Sequence, residues 1–494
     1  MPAETTFRHH LIKNTSLLLL SLLFLPINTL ILTTCLLYRR LHPSAPSPAP
    51  NRKTILISGL AMAKGLHLAR TFHATGHRVI GVDFTHTQFG HSRVPSSGRF
   101  SRALDAHYTV SATHYIPDML AIILRERVDA FFCVSGVATT LEDALLKAFL
   151  NKSGCACKIL QLHPETAELL HDKHSFIAAV GAAGLPAPVT KMVTTHEEAL
   201  RAVATHATGK RRFIMKSVWL DDVSRGDMTL LPRPTQAETF EFIRAKEMGE
   251  EKPWVLQEYV AGNEEYATHA VIVEGVVTAF AVCRSSDMLM RYRALPAGDP
   301  LALRMLDFTR KLVGSLEEGK LTGQVSVDFL VERDEAGAVQ RMLPIESNPR
   351  AHTAVVLFAK QPGALTESYL RLLEKKKKGA EEEVKNDESL ECVVCPEDTK
   401  TTYCWMGHEL VVEVLLPMVE VWRGEMTVRE WVQRMVKYVG GMVNLRDATF
   451  EVLDPIPWFW MYHVYYPWFF VLSLVLGKRW TRINVSTTRV FESS

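Results

Sequence analysis

The spacing of apolar and polar residues divides the chain into two apolar ends and a mixed middle. In the first part of the middle, apolar runs of strand type alternate with helical stretches, which is typical of a parallel, doubly wound α/β lobe. From Pro164 a helix is predicted up to Gly184, and the strand-rich pattern after it indicates an α+β module. In the first lobe the predicted strands are 54–58, 77–82 and 129–134, and the predicted helices are 62–74 and 117–127.

Two strands late in the module carry the most informative polar residues. Residues 324–330 alternate with the period of a strand, and a second strand, 341–346, breaks at Asn348-Pro349, where proline cannot continue a ladder. Pairing of these strands would bring Asp328, Glu346 and Asn348 together. Two carboxylates and an amide oxygen suit Mg²⁺, which takes further ligands from phosphates. Arg350 adds a planar guanidinium, so the pattern predicts ATP chemistry.

The N-terminal apolar run, 17–38, has 22 residues without a charge and is long enough to cross a bilayer as a helix. Pro26 and Asn28 lie in its middle, so a kinked span and a re-entrant hairpin both stay open. A cleaved signal peptide and a buried core helix are weaker alternatives, because the run is long and a Pro-rich linker follows it. Basic residues are more frequent after the run than before it, so the positive-inside rule predicts a membrane-associated chain with a cytosolic catalytic domain.

The C-terminal apolar stretch, 455–476, is rich in Trp, Tyr and Phe and is interrupted by Pro467. Such side chains favour the headgroup level of a membrane, so we predict an interfacial segment on the same leaflet. A hydrophobic flap packed on the soluble domain is an alternative of similar weight.

The composition mainly serves to exclude some classes of protein. The chain has 494 residues, 47 % hydrophobic and 22 % charged, with a net charge of +2, as expected for a folded protein of two to four lobes. This charge, with no recognition motif, argues against nucleic acid as a partner. The eight scattered cysteines favour a reducing compartment. Cys392, Cys395, Cys404 and His408 have the ligand types of a zinc site, but free thiols in a connecting segment are the favoured interpretation.

The turn 58–65 after the first strand contains Gly59 and Gly65 but fits neither the dinucleotide fingerprint nor the P-loop pattern. A plain strand-to-helix turn is the favoured interpretation, and Asp83, after the second strand, is only a weak candidate for a ribose ligand.

Several stretches carry a family likeness: LLLLSLLFLPINTLI, LISGLAMAKGLHLARTFHATGHRVI, KPWVLQEYVAGNE, TGQVSVDF and IESNPRAHTAV. Over roughly 164–358 the order of lysines, hinge, acid and Asp…Glu-x-Asn resembles the ATP-grasp superfamily. Over most of the chain the sequence resembles, more narrowly, the mycosporine-glycine synthase family of 4-deoxygadusol–glycine ligases. One departure is the loop 217–231, whose single glycine is Gly226, whereas the superfamily commonly has a glycine-rich loop there.

The resemblance implies a role for individual residues, and ATP and Mg²⁺ (or Mn²⁺) as ligands. The implied sets are Lys173 and Lys216 for the ATP phosphates, Glu258, Tyr259 and Val260 for the adenine hinge, Glu265 (or Glu264) for the ribose, Asp328, Glu346 and Asn348 for the metal, and Arg350, Lys216 and Arg225 for catalysis. A surface lysine for Lys173, a snorkelling lysine for Lys216 and a loop arginine for Arg225 are the ordinary alternatives.

The resemblance also implies a reaction. An ATP- and Mg²⁺-dependent ligase would form a C–N bond between a 4-deoxygadusol-like cyclohexenone and an amino acid, glycine above all, through a phosphorylated intermediate. A carboxylate–amine ligase that forms an amide through an acyl phosphate is the alternative, and a nucleotide-binding protein without turnover is a third. The expected partners are small-molecule substrates and a membrane surface.

The predicted domains are an anchor with its linker (1–53), an α/β domain (54–160), an ATP-grasp domain (161–372), a charged linker (373–390) and a C-terminal region (391–494).

Overall fold

The computed structural model describes residues 7–43, 46–85, 94–134, 136, 139–207, 209, 211–217, 227–260, 264–285, 290–374 and 393–492. These residues form a long N-terminal helix, a parallel α/β lobe, two antiparallel sheets and a mainly helical C-terminal region. The helices are α1 (Phe7–Leu41), α2 (Ala63–Ala74), α3 (Tyr115–Glu126), α4 (Thr140–Ser153), α5 (Pro164–His171), α6 (Lys173–Ala182), α7 (His196–His206), α8 (Gln236–Arg244), α9 (Pro300–Ser315), α10 (Pro362–Leu370), α11 (Met406–Leu410), α12 (Leu416–Trp422), α13 (Val428–Gly441), α14 (Ile456–Trp460) and α15 (Tyr466–Val475). The strands are β1 (Thr54–Ser58), β2 (Arg78–Phe84), β3 (Ala106–Val110), β4 (Ala130–Phe132), β5 (Lys158–Leu160), β6 (Thr190–Val193), β7 (Arg212–Ser217), β8 (Trp254–Tyr259), β9 (Glu264–Val273), β10 (Val276–Ser285), β11 (Gly323–Arg333), β12 (Val339–Asn348), β13 (Thr402–Cys404), β14 (Leu445–Asp447), β15 (Trp480–Asn484) and β16 (Arg489–Glu492).

The N-terminal lobe is a five-stranded parallel sheet in the order β3-β2-β1-β4-β5, which confirms the predicted α/β lobe. Ile55, Leu56 and Ile57 of β1 are fully buried, as expected for a central strand covered on both faces. The sequence pattern missed β3 and β5. Most β3 residues are half-exposed and β5 has only three residues, so neither forms an apolar run.

The turn after β1 is a plain structural turn. Gly59 has a φ of +69°, and a Cβ on Gly65 would lie 2.3 Å from the carbonyl oxygen of Gly59, so both glycines are needed for the close approach of α2. Asp83 Oδ1 accepts a hydrogen bond of 3.0 Å from the Ala61 N–H, and the Ser96 hydroxyl donates to the other carboxylate oxygen. Asp83 therefore supports the turn rather than offering its carboxylate to a ribose.

The module after residue 164 contains a three-stranded sheet, β6-β8-β7, and a four-stranded sheet, β10-β9-β11-β12, both antiparallel. The prediction of one helix up to Gly184 was wrong. Asp172 interrupts it, because its side chain caps a new helix by accepting a 2.7 Å hydrogen bond from Ser175 N. Lys173 is consequently the first residue of α6.

Helix α1 runs unbroken through Pro26, so the alternative of a re-entrant hairpin is wrong. Its side chains Leu22, Leu23 and Leu30 are 62 %, 72 % and 66 % exposed. By length and composition α1 resembles a membrane-crossing helix, although a signal sequence near an N-terminus meets the same criteria. Within the described ranges it is the one helix that does so.

The C-terminal apolar stretch forms α14, a π-helical turn (Met461–Tyr465) and α15. Met461, Tyr465 and Phe469 are buried in a cluster with Trp405 and Trp480. The predicted interfacial segment is therefore wrong for these side chains, because they pack on the protein itself, as in the alternative of a hydrophobic flap.

Helix α1 docks on this C-terminal cluster through polar contacts. The Ser21 hydroxyl donates to the carbonyl oxygen of Tyr462 over 3.0 Å, and Asn28 Nδ2 lies 2.7 Å from His463 Nε2. Trp480 Nε1 donates to Asn14 Oδ1 over 3.0 Å. The N-terminal helix is therefore tied to the C-terminal region along much of its length.

Candidate active site

The core of the site is the pair of strands β11 and β12. Asp328 lies directly opposite Glu346, and Asn348 lies opposite Ser326. Asn348 Nδ2 is 3.3 Å from Asp328 Oδ2 and 3.5 Å from Glu346 Oε1. The structure thus brings the three predicted metal residues together, although Asp328 lies inside a strand that continues to Arg333 rather than at its end.

The two carboxylates have opposite electrostatic environments. Burial and the nearby charge of Glu346 raise the pKa of Asp328. Burial alone would also raise the pKa of Glu346, but the charges of Lys173 and Lys216 and hydrogen bonds to Lys173 and Asp328 together outweigh it and lower the pKa to about 2. The pair therefore favours a neighbouring cation, which would relieve the repulsion between two close carboxylates.

The residues fit a hard cation such as Mg²⁺. Asp328 Oδ1 is buried and has no hydrogen-bond partner among the described residues, which is costly for an acceptor unless water or a cation binds it. The Asn348 amide oxygen accepts from Arg350 Nη2, so the amide would have to turn and give up that hydrogen bond to present its oxygen to the same point. No three His, Cys, Asp or Glu residues in the described ranges are grouped for a metal, so the set depends on two carboxylates and an amide.

Two lysines approach these carboxylates from other elements. Lys173 Nζ lies 3.2 Å from Glu346 Oε2. Lys216, on β7, donates a 2.8 Å hydrogen bond to Gln257 Oε1. Burial, followed by the charge of Lys173, lowers the pKa of Lys216 to about 8. Both ammonium groups face the cleft that the two sheets enclose.

Arg350 follows β12 and reaches back toward it. Its Nη2 donates to Asn348 Oδ1, while its Nη1 is buried and has no hydrogen-bond partner in the described part of the chain. Burial lowers the pKa of this guanidinium, against the opposing charges of Glu346 and Asp328. The cleft therefore contains an unused donor beside the metal residues, suited to a phosphate or carboxylate oxygen.

The predicted adenine hinge lies at the end of β8. The Glu258 side chain does not point to a nucleotide: Oε2 accepts a 3.0 Å hydrogen bond from Val189 N, and Oε1 accepts one of 2.9 Å from Arg341 Nη2. This carboxylate ties the small sheet to β12. Glu258, Tyr259 and Val260 all line the cleft, and the hinge role of their backbone stays a prediction.

The two adjacent acids of β9 point to opposite faces, as successive strand residues do. Glu265 lines the cleft. Glu264 instead accepts hydrogen bonds from Arg333 Nε at 2.7 Å and from the Tyr266 hydroxyl at 3.2 Å. Glu264 is therefore wrong as a substitute for Glu265.

Gln257 was missed by the sequence reasoning. It is buried, pairs with Ile214 and holds Lys216 in place. The one available signal was its position in WVLQEYV, where a polar residue follows an apolar run immediately before the hinge.

Two predicted sites cannot be followed. Arg225 and Cys392 lie outside the described residues. Cys395 and Cys404 carry free thiols, and the described ranges contain no group of three metal-binding side chains that includes them.

The three metal residues, both lysines, Glu265 and Arg350 line one cavity of about 2870 Å³. Its first part lies between the small sheet and the four-stranded sheet, where it meets Lys216, Glu265 and Glu346. It then continues along the C-terminal region and α1.

No protein-family model matches the chain. A sequence relative is the carbamoyl phosphate synthase large chain of Acidobacterium capsulatum, 27 % identical over 260 residues, or 50 % of this chain. The chain spans only 22 % of that relative's length.

Two solved structures are similar to about two thirds of the chain. Biotin carboxylase of Campylobacter jejuni, in its β,γ-ATP complex, has a TM-score of 0.49 and 14 % identity, covering 71 % of this chain and 74 % of that one. N5-carboxyaminoimidazole ribonucleotide synthetase of Thermotoga maritima has a TM-score of 0.45 and 15 % identity, covering 65 % and 76 %.

The parallel α/β lobe and the strand-rich module after it agree with the predicted α/β lobe and α+β module, and the two antiparallel sheets of the module enclose one cleft. Over half of its length the chain is similar in sequence to part of a synthase.

Proposed function

We propose that the chain is an ATP- and Mg²⁺-dependent ligase that activates an oxygen of an acceptor as a phosphate and joins the acceptor to an amine. One observation carries the proposal: the buried, unpartnered Asp328 Oδ1 and its neighbour Glu346 share one cleft with Lys173 and Lys216. Two acids for a metal and two cations for phosphates are what phosphoryl transfer requires of a protein.

Each residue has a defined part in the proposal. Asp328, Glu346 and Asn348 hold Mg²⁺, and Lys173 and Lys216 neutralise the charge that develops on the phosphates. ATP, when bound, supplies the phosphoryl group, which passes to the acceptor oxygen and leaves ADP. The amine nitrogen then attacks the acceptor carbon, phosphate departs with the oxygen, and the extra amine proton is lost to solvent.

The adenosine part is proposed to lie toward β8 and β9. The Tyr259–Val260 backbone would meet the adenine edge, and Glu265 would bind the ribose hydroxyls. Arg225, as a further cation over the phosphates, stays part of the proposal without structural support.

Two acceptors are proposed. The family likeness favours a 4-deoxygadusol-like cyclohexenone with glycine as the amine. The alternative, a carboxylate joined to an amine through an acyl phosphate, is favoured by the unused Arg350 Nη1, because a guanidinium is geometrically matched to a carboxylate.

The proposed location is a membrane with the catalytic part in the cytosol. The exposed apolar face of α1 and the excess of basic residues after it support this assignment.

Amine-dependent release of ADP tests the function. The purified chain should release ADP with Mg²⁺, amine and either acceptor, with hydroxylamine trapping a hydroxamate if the acceptor is a carboxylate. Asp328→Asn and Glu346→Gln should each lower this rate by at least about 100-fold, whereas Asp307→Asn, on the exposed face of α9, should not. Full activity in both site variants would refute the proposal.

A further inference from the structure

The cavity extends well past the residues that ATP chemistry needs. Pockets for drug-sized ligands usually have volumes of about 300–1,000 Å³, whereas this one has about 2870 Å³. A nucleotide and a small acceptor, each within that range, would leave a large part of it unfilled.

The extra space begins beyond Arg350, where the C-terminal region approaches the site. The charge of Arg489, on β16, acts on Arg350. The ring of Tyr292 packs edge-on against His352 and against Trp405, with centroid distances of 5.9 Å in both cases. The acceptor side of the cleft is therefore walled by the C-terminal region.

From there the cavity runs along hydrocarbon side chains of two elements. We name this part the apolar arm and define it by Leu17, Leu20 and Phe24 of α1 and Val411, Val414 and Leu415 of the π-helical turn (Val411–Leu415). These six side chains carry no hydrogen-bonding group and are suited to a hydrocarbon chain, while Ser16, Ser21 and Asn28 of α1 line the same cavity beside them.

The arm reaches the surface at residues typical of a membrane interface. Leu416, Val419 and Trp422 line the cavity and are also 43 %, 40 % and 85 % exposed. Tryptophan favours the level of lipid headgroups. The same arm is bordered by α1, whose outer face exposes leucines over the length of a bilayer. One cavity is thus lined both by residues typical of a lipid interface and by the metal residues.

We propose that the apolar arm holds the hydrocarbon chain of a single-chain carboxylic acid drawn from a bilayer, with its carboxylate between Arg350 and the Asp328–Glu346 pair. The inference rests on the proposed function and selects the carboxylate among its acceptors. The carboxylate oxygen takes the phosphoryl group of ATP, the amine attacks the carbonyl carbon, and phosphate leaves. The product is an N-acyl amine.

Equilibrium binding without ATP tests the arm separately from catalysis. The full chain in lipid nanodiscs is titrated with a fluorescent fatty acid, which is displaced by straight-chain acids of six, eight, ten and twelve carbons. The affinity, referred to the concentration of free acid in water, should rise by about fourfold for each CH₂ that enters the arm. An affinity independent of chain length would overturn the proposal.

Paired variants locate the binding. Leu20→Trp should fill the arm and weaken dodecanoate binding at least tenfold with little effect on hexanoate, and Val414→Phe should do the same from the C-terminal region. Leu23→Trp, three residues along α1 but outside the cavity lining and 72 % exposed, is the matched control and should bind normally. Equal loss in Leu23→Trp would mean that the bilayer-facing surface holds the acid, and the arm would be rejected.

Failure of the arm and failure of the ligase give different results. ADP release with short acceptors but no dependence on chain length would refute the arm alone. Chain-length-dependent binding without amine-dependent ADP release from any acceptor would support the arm and refute the proposed function.

Discussion

Lys173 Nζ lies 3.2 Å from Glu346 Oε2, so the first residue of α6 contacts the metal-site strand β12 from a separate element. The Asp172 cap starts α6 at this position and directs the positive helix end toward the same cleft. This ion pair connects the phosphate side of the site with the metal side.

Replacement of Lys173 by alanine should lower kcat/KM for ATP by about 100-fold, because one positive charge facing the transferred phosphoryl group is lost. Steady-state ADP release measures this effect. Lys191→Ala, an exposed lysine on β6, is the control and should stay within twofold of the unchanged chain. A normal rate for Lys173→Ala would mean that Lys173 is an ordinary surface lysine with no role toward the phosphates.

The lowered pKa of Lys216 leads us to expect that kcat/KM for ATP depends on pH. Its pKa is lowered to about 8 by burial and by the charge of Lys173, with Glu346 and Glu265 acting in the opposite direction. The ammonium is therefore charged below about pH 8 and neutral above it. Since kcat/KM reports the free enzyme, this constant for ATP should fall as the pH rises through about 8.

The variant Lys216→Arg separates this titration from others, because a guanidinium stays charged throughout the range. Its kcat/KM should be lower than that of the unchanged chain, as the side chain fits Gln257 less well, but it should no longer fall near pH 8. If kcat/KM of Lys216→Arg still fell near pH 8, the fall would belong to a titrating group other than Lys216.

The adjacent acids of β9 form a built-in comparison. Glu265→Gln should raise KM for ATP about tenfold with a smaller change in kcat, because a carboxylate hydrogen-bonded to a ribose is worth about 1.5–3 kcal/mol. Glu264→Gln should leave KM unchanged, since Glu264 pairs with Arg333 outside the cleft. Equal effects of the two variants would contradict the ribose assignment.

The strands of the site could be predicted because their sequences are regular. β11 alternates from Gln324 to Phe329 and β12 ends just before Pro349, so pairing the two strands brings Asp328 and Glu346 close together. Sequence regularity misled for the single helix predicted from Pro164 to Gly184, because the side chain of Asp172 caps a new helix within an otherwise helical pattern.

Contacts between remote segments could not be predicted in this way. Which of Glu264 and Glu265 faces the cleft depends on the residue at which β9 is paired, and a shift by one residue exchanges them. The hydrogen bond between Lys216 and Gln257 and the tie from Glu258 to Arg341 depend on how sheets pack. The burial of Tyr465 and Phe469 depends on the docking of α1, which cannot be predicted from amino-acid composition.

Asp454 joins the C-terminal region to the N-terminal lobe. Its Oδ2 lies 2.9 Å from Arg70 Nε and accepts a 2.6 Å hydrogen bond from the Ser101 hydroxyl, and its Oδ1 accepts one of 2.9 Å from Arg102 N. The side chains of Arg70 and Asp454 are both largely buried, so each charge is compensated mainly by the other.

Replacement of Asp454 by alanine should reduce the stability of this contact by about 3–5 kcal/mol, because the buried Arg70 guanidinium loses its opposite charge and keeps only backbone carbonyl acceptors. Hydrogen exchange in α14 and in residues 97–104 measures the change locally, and the apparent Tm of the chain should fall.

The control Asp307→Ala removes an exposed pair with Lys311 and should cost no more than about 0.5 kcal/mol. The double variant Arg70→Met with Asp454→Leu should recover part of the loss, since replacing both partners leaves no charge uncompensated. If the single Asp454 variant exchanged hydrogen at the unchanged rate, the link between the two lobes would have to rest on other contacts.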